Sequence, residues 1–254
     1  MSDKSTIEWT DATWNPVTGC TKVSQGCVHC YAETFAERWR GIPGHHFEQG
    51  FDLKLWRDRL SLPLEWKEPR RIFVNSMSDL FHKNVPDEFI EKVFDTMEKA
   101  SQHQFQLLTK RSDRMLKWTK ENYGKNLKAW PENVWLGVSI ENQDLVIRAE
   151  HLSETPATIK FLSVEPLIGP VKFRAPVLRK MDWVIVGGES GPGARPMEPE
   201  WAKSVRDQCI ETGVQFFFKQ WGAHNSRGER VGKKEAGRKL EGKTWDQFPV
   251  ALAK

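Results

Sequence analysis

Residues 71–109 read RIFVNSMSDLFHKNVPDEFIEKVFDTMEKASQHQFQLLT, and this stretch decides the fold. It opens on an apolar run, RIFVNS, and closes on another, FQLLT at 105–109, each predicting a strand buried on both faces. Between them PDEFIEKVFDTMEKA sets Phe89, Ile90, Val93, Phe94 and Met97 along one helical stripe behind Pro86 and Asp87. Strand, helix, strand implies two parallel strands joined by a right-handed crossover. The pattern continues in VWLGVSI at 134–140, IKFLSV at 159–164, WVIVGG at 183–188 and VQFFFK at 214–219. A second clear helix, EPEWAKSVRDQCIETG, spaces Trp201, Val205 and Cys209 at i, i+4, i+8 and ends at Gly213. With a seventh strand around Thr13–Thr18, the fold class expected is α/β, an incomplete or irregular (β/α) barrel of mostly parallel strands rather than an open sheet.

The bulk numbers bound the rest. The chain has 254 residues, 39% of them hydrophobic, enough for one sizeable core, and it is read as a single domain over 1–254. Residues 40–70, rich in Gly, Pro and alternating charge, are expected as an insertion over the site. A basic tail is expected over about 225–254. The N-terminus MSDKSTIEWTD has no basic segment leading into an apolar one, and no stretch approaches the roughly 20 apolar residues of a membrane span, so a soluble, cytoplasmic protein is expected. Four cysteines are too few for a disulfide scaffold. Of the net charge of +4, residues 226–243 hold seven basic and three acidic side chains, a pattern that suits phosphate contacts or an ordinary solvated surface.

Polar residues gather just after the apolar runs: Ser76, Ser78 and Asp79; Lys110 and Arg111; Ser139 and Glu141; Glu165; Gly187, Gly188 and Glu189; Lys219. In barrels and doubly wound sheets that C-terminal edge is where sites are built. A single such cluster is explained by loops meeting water; six in register point to a shared pocket.

Three of the four cysteines lie within eleven positions, in TGCTKVSQGCVHCYAETFAERW, spaced as Cys20, six residues, Cys27, two residues, Cys30. The loop runs into a helix on which Tyr31, Phe35 and Trp39 mark a stripe. A cubane [4Fe-4S] cluster has four irons, so three thiolates leave one open, and the amino and carboxylate groups of S-adenosylmethionine suit that vacancy. The alternative is a structural zinc closed by His29, His45 or His46, although such sites usually carry two close cysteine pairs. Cys209, on an apolar helix face, reads as core.

The opening IEWTDATWNPVTGCTKVSQGCVHCYAE resembles that of a phage-associated, three-cysteine family of radical-SAM-like proteins of unknown function. FVNSMSDLFH, QLLTKRSDRM, VWLGVSIENQ, FLSVEPLIGPV, WVIVGGESGPGARPM, FFFKQWG and KKEAGRKLEGKTWDQFP resemble further blocks of it, so the likeness covers nearly the whole chain. It implies a radical-SAM-like fold and a cluster on Cys20, Cys27 and Cys30, with the substrate open. The sequence departs from the wider radical-SAM pattern in its six-residue first spacing, in His29 where an aromatic residue is common, and in carrying Gly187-Gly188-Glu189 after a late strand instead of the second. By strand order, cosubstrate contacts fall to Ser76, Ser78 and Asp79, and ribose contacts to Ser139 and Glu141. The glycines at 187 and 188 admit either a ligand close to the backbone or a tight turn. Glu165 is a candidate acid, base or orienting group, and Lys110, Arg111, Arg195 and Lys219 are candidates for an anionic substrate.

The reading that follows is an enzyme that cleaves S-adenosylmethionine to a 5′-deoxyadenosyl radical, supplied with electrons by a reductant or donor protein. Nucleic acid is the favoured substrate class, from the basic tail and from Trp135, Trp183 and Trp221 near strand ends. The alternative is a non-catalytic, zinc- or cluster-stabilised nucleic-acid-binding module. Oligomeric state is not legible.

Overall fold

The structure, a computed structural model, describes residues 5–249; residues 250–254 of the expected tail and residues 1–4 of the N-terminal segment lie outside the described residues. Seven strands form one sheet, and two short strands pair apart from it. The expected fold class, α/β with parallel strands, holds.

The chain divides into two compact units. The first takes residues through Val23, then Cys30–Leu136 and Thr155–Thr158. Its elements are β1 (Ala12–Trp14), β2 (Val17–Thr18), α1 (Tyr31–Glu37), β3 (Lys54–Leu55), α2 (Leu62–Glu65), β4 (Arg71–Val74), α3 (Asp87–Lys99), β5 (Gln104–Thr109) and α4 (Ser112–Asn122). β4 runs parallel to β1 on one side and to β5 on the other. On α3 the expected stripe of Phe89, Ile90, Val93, Phe94 and Met97 is buried. Each such side chain contributes roughly 1.5–3 kcal/mol by leaving water.

One expectation in this unit is corrected. The seventh strand does not run through Thr13–Thr18: β1 stops before Pro16, which has no N–H to give a ladder, and β2 pairs antiparallel with β3 of the 40–70 insertion. Of the aromatic stripe, Trp39 lies just past α1 and packs half-buried against an apolar cluster. Tyr31 and Phe35 are exposed, and the small face of Ala32 and Ala36 is buried against Phe47 and Phe51.

The second unit takes Ser24–His29, Gly137–Glu154 and the chain from Ile159 on. β6 (Val134–Ser139) begins in the first unit and ends in the second. After it come α5 (Ile147–Ser153), β7 (Ile159–Val164), α6 (Ala175–Leu178), β8 (Trp183–Gly187), α7 (Pro199–Thr212), β9 (Gln215–Gln220) and α8 (Lys233–Ala236). The strand order of the sheet is β1-β4-β5-β6-β7-β8-β9. β7, β8 and β9 are parallel neighbours, and β6 and β8 are buried along their whole length. α7 stops at Gly213, whose φ of +75° a side chain would resist. Its buried face is Ala202, Val205 and Cys209, with Trp201 at the margin, because burial follows i+3 as well as i+4.

The expected tail is not a loose extension. Phe218 N–H donates to the Trp245 carbonyl, the Trp183 indole donates to the Gln247 carbonyl, and Phe248 packs 4.9 Å from Trp183, so the chain returns along β9 and covers that edge. Trp135, Trp183 and Trp221 are all buried, which makes them core side chains and removes them as stacking platforms for bases.

Candidate functional site

In the first unit, the loop after β2 is held by backbone bonds from Gly19 N–H to the Met77 carbonyl and from Cys20 N–H to the Phe51 carbonyl. Cys30 caps α1, its carbonyl accepting the Thr34 N–H and hydroxyl. Cys20 and Cys30 pack against one apolar cluster, Ala32, Ala36, Phe47 and Phe51. The insertion supplies both phenylalanines, so its role here is to back the cysteine loop. All four cysteines are free thiols; Cys20, Cys27 and Cys30 are half-buried and Cys209 is fully buried. Burial pushes the Cys209 thiol up to about 12, as befits a core residue.

The end of β4 and the end of β5 converge on Cys20. The buried Asp79 carboxylate accepts the Phe81 N–H at 3.0 Å, the Thr109 hydroxyl at 2.7 Å and the Lys110 N–H at 3.0 Å, locking the start of the 110–111 turn. From that turn Arg111 reaches back. Its Nη2 donates to the Thr21 carbonyl and hydroxyl, both at 2.9 Å, and to Cys20 Sγ at 3.7 Å. His82 Nε2 lies 3.0 Å from the same Thr21 hydroxyl. Burial and the Asp79 charge push the Cys20 thiol up, while Arg111 works the other way.

Two of the residues expected at the cosubstrate are already engaged by the chain. The Ser76 hydroxyl bonds the Asn15 amide and the Ser78 hydroxyl donates to the Val17 carbonyl at 2.7 Å. The sequence reading did not single out Asn75. It is buried at φ +60°, and neither polar atom of its side-chain amide has a hydrogen-bond partner. A buried amide left so costs about 1–3 kcal/mol unless something bonds it.

In the second unit the short stretch Ser24–His29 carries Cys27. Ser24 Oγ lies 3.7 Å from Cys27 Sγ and donates to Glu141 at 3.0 Å. Gly26 sits so close to Glu141 that a Cβ there would fall 2.4 Å from its Cγ. Glu141 is fully buried and paired at 3.2 Å with the buried Arg148, which also donates to the Ser139 carbonyl at 2.8 Å. Ser139 and Glu141, expected at a ribose, thus lie inside the structure that supports Cys27. The Arg195 guanidinium forks onto Glu189 at 2.6 and 2.8 Å, its backbone N–H donates to the same carboxylate at 2.9 Å, and its Nη2 donates to the Gln25 carbonyl at 3.0 Å. Burial raises the Glu189 carboxyl, yet the Arg195 bonds outweigh it and hold it below the usual range. Lys219 donates to both Glu165 oxygens, at 2.7 and 3.0 Å. A Cβ on Gly188 would meet the Trp221 carbonyl at 1.9 Å, so that glycine admits the chain's own backbone.

The donor chemistry fits an iron–sulfur cluster: three free, half-buried thiols from one loop, one of them already receiving an arginine N–H. Among the described residues no three His, Cys, Asp or Glu side chains form a group able to hold one metal ion. In the insertion, His45 Nδ1 accepts the Phe47 N–H at 3.1 Å, and both ring nitrogens of His46 lie within hydrogen-bond reach of Arg59.

A family model matches residues 4–249. The chain belongs to the family described as "Protein of unknown function (DUF5131)". No curated protein matches it. Among solved structures it is similar to spore photoproduct lyase complexed with dinucleoside spore photoproduct, at 13% identity over 77% of this chain and 71% of that one, with a TM-score of 0.45. A cysteine-to-serine mutant of that lyase is similar at 10% identity, 84% and 76% coverage and a TM-score of 0.48. A double mutant of the lyase with bound AdoMet and dinucleoside spore photoproduct is similar at 12% identity, 79% and 72% coverage and a TM-score of 0.43. No helix among the described residues is long and apolar enough to cross a membrane.

Proposed function

We propose that this chain is a radical-SAM-like enzyme in which Cys20, Cys27 and Cys30 hold a [4Fe-4S] cluster, S-adenosylmethionine completes the cluster's open iron, and nucleic acid is the substrate. The observation that carries it is the thiol set: three half-buried thiols of one loop, two of them backed by a shared apolar cluster and one reached by Arg111, while the fourth cysteine of the chain is core. Held there, such a cluster would supply the one electron that splits S-adenosylmethionine into methionine and a 5′-deoxyadenosyl radical.

The chain's own residues do the rest. Phe47 and Phe51 keep water from one side of Cys20 and Cys30. Asn75, with both amide atoms unpartnered, is suited to an amino acid headgroup that offers donors and acceptors together. Ser76 and Ser78 fix the turn that presents it, through Asn15 and Val17. Ser24, Glu141 and Arg148 keep the Cys27 stretch in place. The cluster needs an external one-electron donor. Nucleic acid follows from the exposed basic residues of the C-terminal stretch, Arg227, Arg230, Lys233 and Lys234.

The test is anaerobic reconstitution with iron and sulfide, reduction with dithionite in the presence of S-adenosylmethionine, and assay for 5′-deoxyadenosine. Release of 5′-deoxyadenosine, with a mass change in the nucleosides of added DNA or RNA, is the expected result. A colourless protein that binds one zinc and releases no 5′-deoxyadenosine would make it a binding module instead.

A further inference from the structure

Among the described groups at the strand ends, Arg111 is the cation aimed at a thiol. Its side chain is 12% exposed, its Nη2 donates to Cys20 Sγ at 3.7 Å, and its Nε has no hydrogen-bond partner. Asp79 is the carboxylate within ion-pair reach, at 3.9 Å from Nε, and its oxygens already accept from Phe81, Thr109 and Lys110. The guanidinium charge is therefore only loosely matched where it meets Cys20. Thr21 holds it in place through two bonds from the same Nη2, so its position does not depend on the thiol.

We propose that Arg111 tunes the reduction potential of the cluster through Cys20, raising it. This rests on the cluster reading above. Adding one electron makes an iron–sulfur centre more negative, and a poorly hydrated cation with an N–H on a ligand sulfur stabilises that reduced state more than the oxidised one. Cys27 has a different neighbour: the Ser24 hydroxyl at 3.7 Å, a neutral group.

The probe is the reconstituted full-length protein, titrated with dithionite and followed by electron paramagnetic resonance, as wild type, Arg111→Gln and Arg111→Lys. Arg111→Gln keeps a donor and loses the charge; its reduced-to-oxidised ratio at a fixed poise is expected to fall about tenfold, which for one electron is ~59 mV. Arg111→Lys keeps the charge without the planar fork and should fall between the two. Equal potentials for all three, with iron retained, would overturn the proposal. If Arg111→Gln fails to hold iron, Arg111→Lys decides alone: a potential below wild type supports the tuning role and an unchanged one overturns it. A wild-type protein that binds no iron would sink the cluster reading itself, an outcome read from iron content and not from potential. A purely structural arginine would lower the thermal midpoint and leave the potential where it was.

Discussion

The polar strand ends of the two units look alike in sequence and are used differently. In the second unit every carboxylate singled out is consumed by a cation of the same unit: Glu141 by Arg148, Glu165 by Lys219, Glu189 by Arg195. In the first unit Asn75 has no partner for its amide, and Arg111 reaches a thiol. A buried ion pair satisfies itself and mainly holds loops in place; a buried polar group left open, or a cation on a thiol, keeps bonding capacity that a ligand could use. In the second unit these three carboxylates hold loops in place, whereas the proposed function assigns Asn75 and Arg111 of the first unit to the site.

The largest expected effect is on metal. Cys20→Ala, Cys27→Ala or Cys30→Ala should each abolish iron binding in the reconstituted protein. Cys209→Ala should keep full iron and lose about 1 kcal/mol of stability from its buried position, measured by denaturant unfolding. Equal iron loss in all four would place Cys209 in the ligand set and dissolve the contrast.

Next is Glu141→Ala, which leaves Arg148 buried without a counter-charge, the two side chains being 0% and 6% exposed. Breaking such a pair from one side costs roughly 3–5 kcal/mol, so the unfolding midpoint should drop sharply, while Glu141→Gln, still able to accept from Ser24, should lose less. A stability loss under about 1 kcal/mol for Glu141→Ala would show that the pair is not structural.

Asn75→Gly tests the other side of the contrast. Glycine relieves the φ of +60° and deletes the orphaned amide, at some cost in chain entropy, so stability should stay within about 1 kcal/mol of wild type. Affinity for S-adenosylmethionine, measured by calorimetry on the reconstituted protein, should fall. Unaltered affinity would return Asn75 to the scaffold.

The smallest effect is a pH dependence. The Arg195 bonds hold the Glu189 carboxyl below its ordinary value, so this group stabilises the fold above the unfolded carboxylate range, near pH ~4.3, and that contribution is lost as pH falls through the folded value. The acid limb of the thermal midpoint should therefore be shallower in Glu189→Gln than in wild type. Parallel limbs would remove the linkage.

The sheet was legible because strands buried on both faces announce themselves as unbroken apolar runs, and the α3 stripe from Phe89 to Met97 because a helix repeats about every 3.6 residues. The stripe of Tyr31, Phe35 and Trp39 marked the helix but not its buried face: Ala32 and Ala36 turn inward with Trp39 beside them, while Tyr31 and Phe35 are exposed, because spacing says nothing about which of two faces turns inward. The three clustered cysteines stood out by spacing alone. The other polar groups did not, because ion pairs such as Glu141–Arg148 and Glu189–Arg195 depend on partners the loops bring together, which no local pattern encodes. Asn75 gave one weak signal, an asparagine directly after a strand, the residue type that tolerates a left-handed backbone.

The central claim is that three thiolates hold a cluster with one iron open to a small molecule. Electron paramagnetic resonance of the reduced, reconstituted protein with and without S-adenosylmethionine tests it most directly. The account predicts about four irons per chain and a spectrum that changes when S-adenosylmethionine is added. A spectrum indifferent to it, or one zinc in place of the iron, would contradict the account.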